Sequence, residues 1–118
     1  MPENLKIQVN LNVQTKPKAA VFIKGRDVTE GSMTFHQGDQ VEIQCKGTGF
    51  PEPEIKWFSN GERLVTSRGF TVNGDLLIIE KADHDHVRTY QCLADNGVSV
   101  GHASVAINVQ CKYRNNVQ

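Results

Sequence analysis

The chain has 118 residues, thirteen of them basic and thirteen acidic, for a formal net charge of zero. That length holds one domain with a single core, near the size at which a covalent brace adds useful stability. Balanced charge argues against nucleic acid or an anionic membrane as partner, since both select a concentrated basic patch, and no apolar run is long enough to insert in a membrane.

Met1-Pro2-Glu3 does not begin a secretory leader, so the chain is expected to be either a cytosolic protein or a piece cut from a longer one, the second being the favoured reading. Residues 1–18 alternate well for a tail, with Leu5, Ile7, Val9, Leu11 and Val13 on one side. Residues 9–18 also match residues 105–114 at five of ten positions, at an offset of 105 − 9 = 96. A repeat at about one domain length is what a tandem array gives when each last strand runs into the next domain. Residues 1–18 are therefore expected to be an upstream linker or the last strand of a preceding domain, loosely docked here, the alternative being chance similarity between two Val- and Asn-rich strands. Residues 19–110 form the domain, and 111–118 are a tail or a linker to a following one.

Ala20-Val21-Phe22-Ile23 is expected as a first edge strand, with Met33-Thr34-Phe35 as its partner after a Gly-rich break. His36-Gln37-Gly38-Asp39-Gln40 turns the chain into Val41-Glu42-Ile43-Gln44-Cys45, a strict alternation that places Val41, Ile43 and Cys45 inward. Pro51 and Pro53 end that strand's pairing and keep the connection extended. Ile55-Lys56-Trp57-Phe58 follows, then the hairpin signal Asn60-Gly61, a short strand at Leu64-Val65 and another at Phe70-Thr71-Val72. Asn73-Gly74 is a second hairpin signal, leading into Asp75–Ile79 with Leu76 and Ile78 inward. Asn96-Gly97 is a third, between Thr89–Asp95 and a last strand over 99–109. No helix is expected.

Three anchors organise these elements. Cys45 and Cys92 face inward on separate strands, Trp57 faces inward between them, and Tyr90 lies two residues before Cys92. This fits two sheets pinned across the core, with Leu76 as a further core anchor. A bridge would close a loop of 92 − 45 = 47 residues, worth ~4 kcal/mol on the chain-entropy model. Burial of the indole adds several kcal/mol at roughly 25 cal/mol/Å². The Tyr90 hydroxyl is placed to bond back to the loop that leads into its own strand.

At these residues the chain resembles the intermediate-set (I-set) immunoglobulin domains of multi-domain neural cell adhesion molecules. Gly49-Phe50-Pro51-Glu52-Pro53-Glu54-Ile55-Lys56-Trp57 with Asn60-Gly61-Glu62 is especially similar to the third domain of that class. Cys92-Leu93-Ala94-Asp95-Asn96-Gly97-Val98 is similar to its hairpin, and to that of lachesin-type adhesion proteins. The resemblance covers about residues 19–110 and implies an all-β, antiparallel β-sandwich of I-set type. The 35 residues between Trp57 and Cys92 leave little room for the extra strand of a variable-type domain. The class usually has Asp six residues before the second Cys and Gly four before it. Here His86 and Arg88 stand there, so that corner is expected to be rebuilt around Asp85.

Asp83-His84-Asp85-His86 is the one cluster with metal-ligating character. On an extended strand His84 and His86 would point the same way, but nothing else is placed to complete a coordination shell, so a solvated turn is expected. His36 and His102 are isolated, and each is expected to be a surface or edge-strand residue. No nucleophile elbow, phosphate loop or dinucleotide fingerprint occurs, so neither enzyme activity nor a cofactor is expected. Cys111 is left over: a free thiol, a partner for a neighbouring domain or chain, or a residue without a role.

With Trp57, Tyr90 and Cys92 inward, alternation sends Lys56, Phe58, Gln91, Leu93 and Asp95 outward. Phe58 and Leu93 ringed by polar groups have the make-up of a contact patch, against the alternative of stray hydrophobes or cover from a loop. Phe50 and the tip Asn96-Gly97-Val98 would extend it. The resemblance implies an extracellular, cell-surface recognition module. Its partners would be another surface protein, or the same protein on an apposed cell, with neighbouring immunoglobulin domains in cis. The alternatives are an intracellular structural domain of a giant muscle or cytoskeletal protein, whose core Cys would stay reduced, and an inert spacer.

Overall fold

The structure, a computed structural model, describes residues 15–111. The sequence readings for residues 1–14 and 112–118 lie outside these. Among the described residues ten strands form two sheets: β1 (Thr15–Ile23), β2 (Arg26–Asp27), β3 (Ser32–His36), β4 (Val41–Phe50), β5 (Glu54–Ser59), β6 (Glu62–Arg63), β7 (Phe70–Asn73), β8 (Leu76–Ile79), β9 (Arg88–Asp95) and β10 (Val100–Gln110). One sheet runs β2-β1-β4-β8-β7, the other β3-β10-β9-β5-β6. Every pairing is antiparallel except β3 with β10.

The core lies where the inward halves of the alternating strands meet. Val41, Ile43 and Cys45 from β4 face Trp57, Tyr90, Cys92, Ala103 and Val105 from the other sheet, all at most 1 % exposed. Cys45 and Cys92 are joined by a disulfide, with their Cα atoms 6.4 Å apart. Trp57, Cys92 and Ala103 stand side by side on β5, β9 and β10, so the indole lies in the same cross-strand row as the bridge.

Several elements differ from the sequence expectation. Leu76 is not a core anchor: Leu77 and Ile79 are fully buried, and Leu76 and Ile78 are only half-buried. Asn73 pairs with Leu76, so the two-residue loop is Gly74-Asp75, one residue later than Asn73-Gly74. A slip of one residue exchanges the faces of a strand, and the pairs Ile43–Leu77 and Val41–Ile79 fix which face looks inward.

Met33–Phe35 does not pair with the first strand. Lys24 (φ 54°) and Gly25 (φ 77°) turn the chain straight back, and β2 fills the free edge of β1. Thr29 extends that cover, its Oγ1 accepting the Val21 N–H at 2.9 Å. The chain then crosses to the other sheet, where Glu30 donates its N–H to Ser104 O and Gly31 O accepts from Ala106 N–H. There β3 supplies partners for the open edge of β10. The short strand expected at Leu64-Val65 falls at Glu62–Arg63, immediately after the Asn60-Gly61 turn, where both residues have positive φ (54° and 81°). β1 begins at Thr15 and pairs there with Phe50.

Candidate protein-recognition face

Cross-strand neighbours share a face, so the registers of β5, β9 and β10 define the outer surface of the second sheet. One row is Glu54, Asp95, Val100; the next is Lys56, Leu93, His102; the third is Phe58, Gln91, Ser104. Lys56, Phe58, Gln91, Leu93 and Asp95 therefore lie together on this face, each half-buried. Lys56 Nζ stands 3.7 Å from Asp95 Oδ2, with both side chains about a third exposed or less. A pair so wetted contributes little stability, so what it does best is orient two opposite charges beside Leu93. Arg63 lies opposite Phe58 on β6, adding a second cationic residue to this side of the sheet.

Val100 and His102 complete the face, and Val100 is 47 % exposed. Sequence reasoning put His102 at the surface but assigned neither residue to this face. The signal was present: Ala103, Val105, Ile107 and Val109 alternate inward, which sends Val100, His102 and Ser104 outward. Ser104 is held from outside by Glu30, whose carboxylate accepts its N–H at 3.2 Å and its hydroxyl at 3.0 Å.

At one end of the sandwich, Asn96 ties three segments together. Its Nδ2 donates to Thr15 O and to Phe50 O, both at 3.3 Å, and its Oδ1 accepts the N–H groups of Val98 and Ser99. Phe50 and Val98, 54 % and 60 % exposed, flank this knot. They stand at the rim, not on the face itself.

The opposite corner departs from the extended geometry assumed for Asp83–His86. His84–His86 form a 3-10 turn capped by Asp83. The Asp83 carboxylate accepts the His84 N–H at 2.7 Å, and the Asp83 N–H donates to His86 Nδ1 at 3.0 Å. Residues two apart on such a turn do not share a side, so the two imidazoles are not a ligand pair. Among the described residues no group of three His, Cys, Asp or Glu is placed to hold a metal ion. The corner is built on Asp83 and His86; Asp85 contributes its carbonyl, which accepts from Arg88 Nε at 2.8 Å. Tyr90 donates its hydroxyl to His86 O at 2.9 Å, and burial pushes the phenol pKa up to about 12. His86 is held below its ordinary pKa, first by burial and then by the Arg88 charge, against the opposing pull of Asp83 and Asp85. Cys111 is unpaired and half-buried.

A family model described as "Immunoglobulin domain" matches residues 23–96. Lachesin of Drosophila melanogaster is 29 % identical over 106 residues, covering 90 % of this chain and 28 % of its own length. Hemicentin-1 of Mus musculus is 35 % identical over 89 residues, covering 75 % of this chain and 2 % of its own length. The chain thus spans less than a third of either relative. Among solved structures, a chimeric titin Z1Z2 chain superposes with a TM-score of 0.66 at 29 % identity, over 85 % of this chain and all of that one.

Proposed function

This chain belongs to the immunoglobulin domain family, and from that premise we propose that it is a recognition module of a cell-surface, multi-domain adhesion protein or receptor. It is not an enzyme; it works by pairing surfaces, like with like or with another surface protein. The observation that carries the reading is the outer face of β5, β9 and β10. Phe58, Leu93 and Val100 give it an apolar centre, and Lys56, Asp95 and Arg63 give it charges of both signs. Burial of the apolar groups supplies affinity, while the charges set register and reject mismatched partners. The segments before Thr15, where β1 begins, and after Gln110, where β10 ends, would join neighbouring domains of the same kind. Similarity to lachesin supports the adhesion reading, and the Cys45–Cys92 bridge supports an oxidising, extracellular location.

The test uses the chain carrying Cys111→Ser, so that accidental cross-linking cannot pass for recognition. Coupled to beads, it is expected to cluster them or to bind them to cell surfaces, and Phe58→Asp or Leu93→Asp is expected to abolish whichever occurs. Sedimentation velocity then separates the modes: a concentration-dependent dimer identifies like-with-like pairing. Beads that neither cluster nor bind would sink the proposal, and binding that survives both substitutions would move it to another surface. The likeness to titin favours a second reading, an intracellular structural unit, which requires Cys45 and Cys92 to be thiols in the native compartment.

A further inference from the structure

His86 does a job at the corner before β9 that only one protonation state allows. Its Nδ1 accepts the backbone N–H of Asp83 at 3.0 Å, so that nitrogen carries a lone pair and the ring is neutral with its proton on Nε2. The same residue's carbonyl accepts the hydroxyl of the fully buried Tyr90, so the turn and the core share one residue. The ring is wedged against Phe70, edge to face, with centroids 5.3 Å apart. This contact packs one side of the ring while Nδ1 faces the Asp83 amide.

We propose that the corner Asp83–Val87 is a proton-operated latch: neutral His86 closes it, and protonation of His86 opens it. A proton on Nδ1 turns the acceptor into a donor, so two N–H groups then face one another across a hydrogen-bond distance. The reciprocal cap of the 3-10 turn is lost, and the carbonyl that anchors Tyr90 loses its fixed place.

The groups around the ring set the balance. On the turn itself, Asp83 and Asp85 favour the charged imidazole, and the exposed His84 lies between them. From β9, Arg88 opposes protonation, and its guanidinium is held over the Phe70 ring at 5.8 Å, where it stays beside His86. From β7 the Phe70 ring faces His86, and Gly69, next to the exposed Arg68, lies beside its Nε2. β10 also packs on the turn, and its Val105–Gln110 half carries no ionisable side chain. Gln37 Nε2 donates to the Asp83 carboxylate at 3.2 Å, which keeps that carboxylate occupied while the latch is closed.

The latch adjoins the proposed recognition surface. Thr89, one residue past Arg88, lines the same cleft as Phe58, Gln91 and Ser104. Opening the corner frees the start of the strand that carries Gln91 and Leu93, so recognition is expected to weaken as pH falls. That consequence rests on the recognition reading; the latch itself does not.

Nuclear magnetic resonance on the full chain tests it, following the His86 ring and the Asp83 amide between pH 8 and pH 5. The His86 midpoint is expected below 6.5, with the Asp83 amide shifting and losing several-fold of its exchange protection, taken relative to the intrinsic rate at each pH, along the same curve. The unfolded chain then binds the proton more readily than the native one, so stability is full above about pH 7 and falls as pH drops through 6.5. In His86→Asn, whose Oδ1 accepts the same N–H without titrating, that part of the decline in Tm is expected to vanish. An Asp83 amide that does not respond while His86 titrates would overturn the latch, whatever the variant does. So would a His86→Asn chain with an unchanged pH profile. A latch that opens without loss of binding would leave this proposal standing and sever it from the recognition face.

Discussion

At the residue scale, Leu76 and Leu77 differ by one position and by the whole depth of the core. Leu77 is fully buried opposite Ile43, whereas Leu76 sits opposite Gln44 on the outer face. Leu77→Ala is therefore expected to lower unfolding free energy by about 2–5 kcal/mol, because it removes buried methyl groups and leaves a cavity. Leu76→Ala is expected to change it by about 1 kcal/mol or less. Urea denaturation of the two variants checks this, and the reverse order would show that β8 is slipped by one residue. The contrast also marks what the sequence could reveal. Cys45, Trp57, Tyr90 and Cys92 were legible because each lies in a run whose polar and apolar residues alternate. Leu76-Leu77-Ile78-Ile79 has four apolar residues in succession, so alternation is silent there and only the turn fixes the phase. That turn begins one residue later than the Asn-Gly pair suggested, and the wrong face followed. The outward positions Lys56, Phe58, Gln91, Leu93 and Asp95 were legible as a set for the same reason as the anchors. His86 was visible as a departure and as part of a histidine–carboxylate cluster but not in its actual role, because its use of Nδ1 depends on a 3-10 turn that no periodicity announces.

At the scale of elements, the strands themselves were largely legible and their partners less so. β3 was found at nearly its true position but assigned to the wrong sheet, because pairing depends on which edges are already filled. The entry of β1 is similar: Thr15–Lys18 belong to the strand, held by contacts distant in sequence. Pro17 is buried between two glycines that leave room for its backbone. A Cβ on Gly101 would overlap the Pro17 carbonyl, and one on Gly49 would stand 2.9 Å from Pro17 Cα at a φ of 144°. Gly101→Ala is therefore expected to push the first residues of β1 off the sandwich, at a cost of roughly 1–3 kcal/mol. Hydrogen exchange should show the loss confined to residues paired with Lys18–Ala20, with Trp57 and Cys92 still protected. Uniform loss would mean that the entry of β1 is part of the cooperative core; no loss would mean that the strand absorbs the methyl by a small shift. Asn96 also depends on this entry, since one of its two amide bonds is to Thr15 O.

At the scale of the molecule, one covalent bond bears on both stability and location. The Cys45–Cys92 bridge spans 47 residues and joins the central strand of one sheet to a central strand of the other. Closing a loop of that length restricts the unfolded chain by ~4 kcal/mol, against a total stability for such domains of roughly 5–15 kcal/mol. A domain of this size could lose most of its margin with that bond. Cys45→Ala/Cys92→Ala is therefore expected to lower unfolding free energy by about 4 kcal/mol or more, since the two truncations also leave a small void beside Trp57. The same experiment distinguishes the compartments. Protein made where thiols stay reduced should lie close to the double variant, above it only by the cost of the void, if the bridge carries the stability, and it should gain about 4 kcal/mol on oxidation. If oxidation adds nothing, apolar packing alone sustains the fold; an intracellular structural unit then becomes the better reading, because such a unit must hold its shape with both sulfurs reduced. A large gain favours the surface module instead, because a domain that depends on its bridge is fitted to an environment in which the bridge persists.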